Sequence, residues 1–242
     1  MQHVRFRDPG GSVRHGTWAD DRIQFSDREY DPREIDILPP THPSKFVCVG
    51  LNYERHAAEQ DAELPERPRL FLKGPNAVAG HDDTITLPDP DARVDHEIEL
   101  GVVIGEQCRS VEVADAMDVV RGFTAVNDVS NRDEQFSEAN NVRGKSFDNA
   151  APMGPTIATP DEVPSDASLT LRVNGEVRQD SSRDDLIFSV PEILAEITEY
   201  ITLEPGDVVL TGTPEGVGPL ADGDTVELAI EGIPPLRHHV SV

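Results

Sequence analysis

Glu97-Ile98-Glu99-Leu100-Gly101-Val102-Val103-Ile104 is the stretch on which the reading of this chain turns. Two acids separated by one apolar residue lead straight into an apolar run. Successive side chains of a strand take opposite faces, so Glu97 and Glu99 project together, while Ile98, Leu100, Val102 and Ile104 form a core face. Two neighbouring carboxylates at the mouth of a buried strand repel each other, and burial disfavours their ionisation. A divalent cation with oxygen ligands is the usual way to neutralise such a pair. The spacing alone is weak, because 46 of the 242 residues are acidic and acid-x-acid pairs arise readily by chance. What separates this pair from the rest is the apolar strand it opens.

Twenty-one basic residues against 46 acidic ones leave a formal net charge of −25. Such a field repels nucleic acid and anionic membranes, so neither is expected as a partner. Only Lys45, Lys73 and Lys145 are lysines, the other basic residues being arginine. Abundant acid with scarce lysine suggests a halophilic surface, where salt screens the mutual repulsion of carboxylates. Cys48 and Cys108 are too few and too isolated for a disulfide framework or a thiolate metal site. No charged-then-apolar leader and no apolar stretch near the ~18 residues of a membrane span is found, and a cytoplasmic protein is expected.

The chain divides at a proline-marked linker, Leu38-Pro39-Pro40-Thr41-His42-Pro43. Before it, runs around Val4-Arg5-Phe6, Val13 to Thr17 and Ile23-Gln24-Phe25 are separated by turn signals at Asp8-Pro9-Gly10-Gly11 and Asp20-Asp21. Residues 1–42 therefore read as a small β-rich unit and linker, and 43–242 as the main domain, opening with the strand Phe46 to Gly50. Val111 to Arg121 reads as a helix with Val113, Ala116, Met117 and Val120 on one face, capped by Ser110 and ended by Gly122. Leu169, Leu171 and Val173 alternate into an Asn174-Gly175 hairpin turn. Ser189-Val190-Pro191-Glu192 has capping-box spacing ahead of Ile193, Ile197 and Ile201. Phe123 to Val126, Val208 to Leu210 and Val226 to Ile230 read as strands. Many strands and few helices predict an α+β protein with a predominantly β core.

Four further stretches carry chemistry. Asn127-Asp128 ends a strand, where a third metal carboxylate and a plain Asx turn are equally compatible. Lys145, between Gly144 and Ser146-Phe147 in a chain nearly emptied of lysine, is a point cation suited to a substrate carboxylate or enolate oxygen, or to an ordinary loop ion pair. Lys73, in Phe71-Leu72-Lys73-Gly74, raises the same question. Thr211-Gly212-Thr213-Pro214-Glu215-Gly216-Val217-Gly218 offers N–H groups and hydroxyls to an anion but lacks the Gly-Lys-Ser/Thr ending of a P-loop, and taken in isolation it reads as a plain tight turn. His56 and Glu59 are three apart in a helix-like stretch and share a face, as a base with its orienting carboxylate would, or as a solvated surface pair.

Taken in order, Val47-Cys48-Val49-Gly50-Leu51-Asn52-Tyr53 with His56, His96-Glu97-Ile98-Glu99-Leu100, Asn127-Asp128-Val129-Ser130-Asn131-Arg132-Asp133, Lys145-Ser146-Phe147-Asp148 with Gly154-Pro155, and Leu210 to Gly218 resemble the fumarylacetoacetate hydrolase family. The resemblance spans about residues 44 to 240. It implies a β-roll-like α+β catalytic domain, commonly dimeric, holding Mg²⁺ or Mn²⁺. It further implies Glu97, Glu99 and Asp128 as metal ligands, Lys145 as a substrate contact, and Arg132, Gln135 and Thr213 as lining residues. His56 and Glu59 match the family's dyad, carried on a lid. The small N-terminal unit resembles the family's variable leading domain. One departure is Ile233-Pro234-Pro235-Leu236, where members often carry a glycine-containing turn. The expected activity is metal-dependent hydrolysis of a C–C bond in a small acylpyruvate-type 2-oxo acid. Isomerisation or decarboxylation of a ring-cleavage dienoate or of oxaloacetate is the alternative, and Leu51 recurs in the isomerase group.

Overall fold

The computed structural model describes residues 1–242. Its first strands, β1 (Gln2–Arg7), β2 (Val13–Ala19), β3 (Arg22–Phe25), β4 (Arg28–Tyr30) and β5 (Asp36–Leu38), form a meander with a small core of Val4, Phe6, Ile23 and Ile37. Asp20 and Asp21 turn the β2–β3 hairpin with φ of 48° and 56°, the backbone that a two-residue primed turn requires. The meander joins the rest of the molecule: Gln2, His3 and Val4 pair with Ala158, Ile157 and Thr156 of a later strand.

The chain continues through β6 (Phe46–Gly50), α1 (Glu54–Glu59), β7 (Arg69–Lys73), β8 (Val78–Ala79), β9 (Thr84–Thr86), β10 (Val94–His96) and β11 (Ile98–Ile104). Next come β12 (Val120–Asn127), β13 (Ser130–Asn131), α2 (Arg132–Gln135), α3 (Val142–Lys145) and β14 (Ala151–Ala158). The remainder is β15 (Ser168–Val173), β16 (Glu176–Ser182), α4 (Val190–Tyr200), β17 (Val208–Leu210), β18 (Gly218–Pro219), β19 (Thr225–Ile230) and β20 (Ile233–Ser241). A 12-stranded mixed sheet runs β4-β3-β2-β1-β14-β12-β11-β17-β6-β7, with β5 and β8 attached to β1 and β14. A five-stranded sheet, β16-β15-β19-β20-β9, and a three-stranded one, β13-β10-β18, complete the α+β fold.

Strand β11 sits between the two main cores. Ile98, Leu100, Val102 and Ile104 enter the larger, while Val103 joins Phe46, Cys48, Val126 and Met153 in the smaller. This is the alternation read from the sequence, and Glu99 lies on the smaller-core side. The register then gathers chain ends. β11 runs antiparallel to β12 and β17, β17 parallel to β6, and β6 antiparallel to β7. The start of β11, the ends of β12, β17 and β6, and the start of β7 therefore lie along one edge of the sheet, with β7 last in the row.

One expectation is corrected. Val111 to Arg121 is no α-helix: Val113–Val119 forms 3-10 turns, and Val120, Arg121 and Gly122 already belong to β12. Gly122 cannot be a helix end because it lies against β14, where a Cβ would stand 2.2 Å from the carbonyl oxygen of Ala158. Val113 is exposed, and the backbone N–H of Ser110 donates to Thr198 rather than Ser110 capping a helix. At the C-terminus Ile233-Pro234-Pro235-Leu236 opens β20. Gly232, at φ 86°, turns β19 into β20, and a Cβ there would lie 2.1 Å from the oxygen of Glu162. The capping box at Ser189 is present, with Glu192 Oε2 accepting the Ser189 N–H at 2.8 Å.

Candidate active site

Glu97 occupies the single residue between β10 and β11, where the chain passes from the small sheet to the large one. Its backbone is held on both sides. Glu97 N donates to Asn127 Oδ1 at 2.8 Å, and Asp128 N donates to Glu97 O at 2.8 Å. That pairing brings Asp128, one residue past the end of β12, against Glu97, and the two-residue strand period adds Glu99. The three carboxylates are buried, and one ligand oxygen from each lies within 4.8 Å of the others.

Three cations surround the cluster. Lys145 Nζ donates to Glu97 Oε2 at 2.7 Å and to Asp128 Oδ2 at 2.8 Å, and lies 5.0 Å from the centre of the Phe71 ring. Lys73 is wholly buried and pairs with Asp128 Oδ1 and with Val129 O, the latter at 3.1 Å. Arg132 pairs with Glu97 Oε1, with Asp95 Oδ2 at 2.9 Å and with Gln135 Oε1 at 2.8 Å. Burial alone would raise the Glu97 carboxyl, but Arg132 and Lys145 outweigh it and hold it below the usual range. Burial likewise opposes the Lys145 ammonium, and Asp128 and Glu97 overcome that and raise it. Glu99 is different. It has no cation, only the Gly212 N–H at 2.6 Å, and burial followed by repulsion from Asp128 and Glu97 drives its carboxyl well above the ordinary value.

Gly212 can make that contact because it adopts φ 97°, and a Cβ there would lie 2.8 Å from the Cβ of Asn52. Asn52 locks the neighbouring loops together, its Nδ2 donating to Thr211 O at 2.8 Å and its Oδ1 accepting the Phe188 N–H at 2.7 Å. Leu51 beside it holds φ 57°, an uncommon conformation for a γ-branched residue, and lines the cavity.

Helix α1 is folded against this cavity with His56 buried. Nδ1 of His56 meets Glu59 Oε2 at 3.1 Å, and its Nε2 meets Gln60 Nε2 at 2.8 Å. An amide nitrogen can only donate, so Nε2 accepts and the proton sits on Nδ1, facing the carboxylate. Glu59 Oε1 in turn accepts the Gly216 N–H at 3.1 Å, which clasps α1 to the loop after β17. A cavity of about 240 Å³ unites His56, Glu97, Glu99, Asp128, Arg132, Gln135, Lys145 and Thr213. Of the nine residues that the family resemblance implied, only Glu59 does not line it, and it stands behind His56.

The sequence reading left out residues that build the site from behind. Gln179 is buried and fully used: Oε1 accepts the Ile98 N–H at 3.0 Å, and Nε2 donates to Thr213 Oγ1 and Pro214 O, each at 2.9 Å. Asp95, between Arg93 and Arg132, steadies the arginine on Glu97. Lys73, raised from the sequence for the scarcity of lysine, also stands behind the cavity, under Asp128. Gln179 and Asp95 carried no such signal, since their roles depend on contacts distant in sequence.

A polar cavity that ends on buried carboxylates, with a histidine–carboxylate pair at its wall, defines a small-molecule site of the kind enzymes use. The chain belongs to the fumarylacetoacetate hydrolase family: the family pattern described as fumarylacetoacetate (FAA) hydrolase C-terminal matches residues 45–241. Among its relatives, a mitochondrial oxaloacetate tautomerase of Bos taurus is 41% identical over 210 residues, covering 82% of this chain and 67% of that protein. The crystal structure of 5-carboxymethyl-2-hydroxymuconate delta-isomerase from Mycobacterium smegmatis superimposes with a TM-score of 0.90 at 40% identity, covering 100% of this chain and 98% of that one. Maleylpyruvate hydrolase from Sphingobium sp. SYK-6, in complex with manganese(II) and pyruvate, gives a TM-score of 0.84 at 29% identity, with coverage of 100% and 99%. The fold matches the family's, as the resemblance implied. No helix is long and apolar enough to cross a membrane.

Proposed function

We propose that the protein is a divalent-metal-dependent enzyme that hydrolyses a C–C bond in a small acylpyruvate-type 2-oxo acid. The observation that carries this reading is the placement of His56 Nε2, backed by Glu59, on the same cavity as the three carboxylates and Lys145. The donor set fits a metal. Glu97, Glu99 and Asp128 offer hard oxygen ligands suited to Mg²⁺ or Mn²⁺, and Glu99 is a buried carboxylate without a cation. Charge counting supports the substrate class. Three carboxylates are offset by Lys73, Lys145 and Arg132, so a bound divalent ion leaves the site with two positive charges, matching a carboxylate plus a developing enolate oxygen. Such an ion would supply a Lewis acid for the 2-oxo and carboxylate oxygens.

The chain's own groups supply the proton transfers. His56 Nε2 takes a proton from water, which adds to the distal carbonyl, and Glu59 stabilises the imidazolium that results. As the C–C bond breaks, its electron pair passes to the pyruvate fragment as an enolate, Lys145 holds the negative charge on oxygen, and the His56 imidazolium returns its proton to the enolate carbon. Thr213 and Gln135 orient the substrate. The names of the relatives favour a second reading, in which His56 moves a proton at the carbon beside the 2-oxo group and the product is an isomer or tautomer.

Turnover of acylpyruvates, oxaloacetate and dienoates with Mg²⁺, Mn²⁺ or chelator separates these readings. Hydrolysis that requires metal and falls about a hundredfold or more in His56→Ala supports the first. Glu59→Gln should show a milder loss. Isomerisation or tautomerisation with no hydrolysis selects the second, and wild-type rates in both variants remove the dyad from the mechanism. The same reading includes a homodimer, which sedimentation equilibrium would test.

A further inference from the structure

Strand β7 contributes three side chains at alternate positions, Lys73, Phe71 and Arg69, which its two-residue period directs to one face. Lys73 lies buried under Asp128, and Phe71 lies beneath the Lys145 ammonium. Arg69 lines the same cavity at the exposed end of the strand. The other two cations lining the cavity are spent on carboxylates, Lys145 on Glu97 and Asp128, and Arg132 on Asp95 and Glu97. Arg69 has neither an ion pair nor a side-chain hydrogen bond, in a chain where acids outnumber basic residues by 46 to 21. Its cross-strand partner is Gly50, which has no side chain to cover it.

We propose that Arg69 is the specificity-determining residue of this cavity and selects 2-oxo acids that carry a second carboxylate at the end remote from the three-carboxylate cluster. This rests on the reading of the cavity as a 2-oxo-acid site. A guanidinium is the side chain best shaped to receive a carboxylate through paired hydrogen bonds. Phe71 gives the middle of the cavity wall an apolar surface for the carbons between the two ends. A strand advances about 3.3 Å per residue, so Arg69 and Phe71 are offset by roughly 7 Å along β7, room for a linker of several carbons. The net charge adds a reason for a cation at the mouth. A dianion approaches a molecule of charge −25 against its field, and a local positive charge lowers that barrier where the substrate enters.

The test compares equilibrium binding of two acids of equal chain length, 2-oxoadipate and 2-oxohexanoate, to the Mn²⁺-loaded protein by calorimetry, with pyruvate as the reference. Wild type should bind 2-oxoadipate about tenfold more tightly than 2-oxohexanoate, the scale of a charge-assisted contact at a partly open site. Arg69→Gln should erase that preference and leave pyruvate and 2-oxohexanoate unchanged, while Arg69→Lys should retain part of it. Equal binding of the two six-carbon acids by wild type, or a preference that survives in Arg69→Gln, overturns the assignment. If pyruvate binds normally in those cases, the 2-oxo-acid reading stands without it. If none of the three acids binds, both fall together.

Discussion

Asn127 Nδ2 and His238 Nε2 stand 2.9 Å apart in the interior, one strand away from the carboxylate cluster. The other end of the same amide, Oδ1, accepts the Glu97 N–H. That contact sets the amide's orientation, so Nδ2 must donate to His238, and the imidazole must accept on Nε2 and be neutral.

Burial is the main cause that lowers His238 from its ordinary 6.5 to about 4. The folded value lies below the unfolded one, so the unfolded chain takes up this proton first as pH falls. The stability associated with the neutral ring is complete above about pH 6.5 and is lost progressively towards pH 4. Urea unfolding should show wild type losing about 2 kcal/mol from this group between pH 7 and pH 5. His238→Gln, which can still accept from Asn127, should lack that component. An identical pH dependence in the two proteins would remove His238 as its source.

Glu99 is the unpaired member of the cluster, so without metal it is a liability to the fold. Glu99→Gln should leave the metal-free protein as stable as wild type or about 1 kcal/mol more stable, because an amide removes both the burial of an ionisable carboxyl and its repulsion from Asp128 and Glu97. The variant should also lose the rise in melting temperature that Mn²⁺ produces in wild type. Thermal melts with and without Mn²⁺ read both effects, and unchanged Mn²⁺ stabilisation would exclude Glu99 as a ligand.

Lys73 and Lys145 share Asp128, yet only Lys145 lines the cavity. Lys73→Met should therefore cost about 3 kcal/mol in chemical denaturation, by leaving a buried carboxylate short of a partner. Lys145→Met should lower turnover more than it weakens metal binding, and Lys145→Arg should rescue only part. Full activity in Lys145→Arg would mean that any positive charge suffices there.

Gln179→Leu should weaken the site without touching substrate. The change strands the Ile98 N–H and frees the Thr213 hydroxyl, at a cost of about 1–3 kcal/mol for the buried donor. Denaturant titration gives that loss directly. A drop in stability below 0.5 kcal/mol would show that the amide is dispensable.

The acid-rich surface leads to a salt prediction. If repulsion among exposed carboxylates opposes folding, the melting temperature should climb steadily from dilute buffer to molar potassium chloride. Equal melting temperatures in the two media would dismiss the halophilic reading.

What could be read from the sequence was local or periodic. The two faces of β11, the Asn174-Gly175 hairpin and the start of α4 follow from spacing alone, because each is decided within a few residues. The stretch before β12 was misread because Val113, Ala116, Met117 and Val120 recur at helical spacing, while Val120 is drawn into the strand by Ile104 of β11 and Phe123 by Ala158, 35 residues away. The nine candidate site residues could be named because each lies in or beside one of the short motifs quoted from the sequence, which fold as α1, the β10–β11 junction, the end of β12 with α2, α3 and the loop after β17. Gln179 and Asn127 work through backbone groups distant in sequence, and His238 through the side chain of Asn127, and no spacing within the chain announces that.

The pairing of β1 with β14 bears on how this protein should be handled. All eight residues of β14 are buried, and β12 takes its other side. A truncation that begins after the proline linker, to isolate the larger part, would strip β1 and uncover an apolar strand with free backbone donors and acceptors at Thr156 to Ala158. Such an edge is a template for pairing with another copy. The shortened protein should self-associate into sheet-bridged aggregates, and the N-terminal meander acts as the guard that keeps the full chain from doing so.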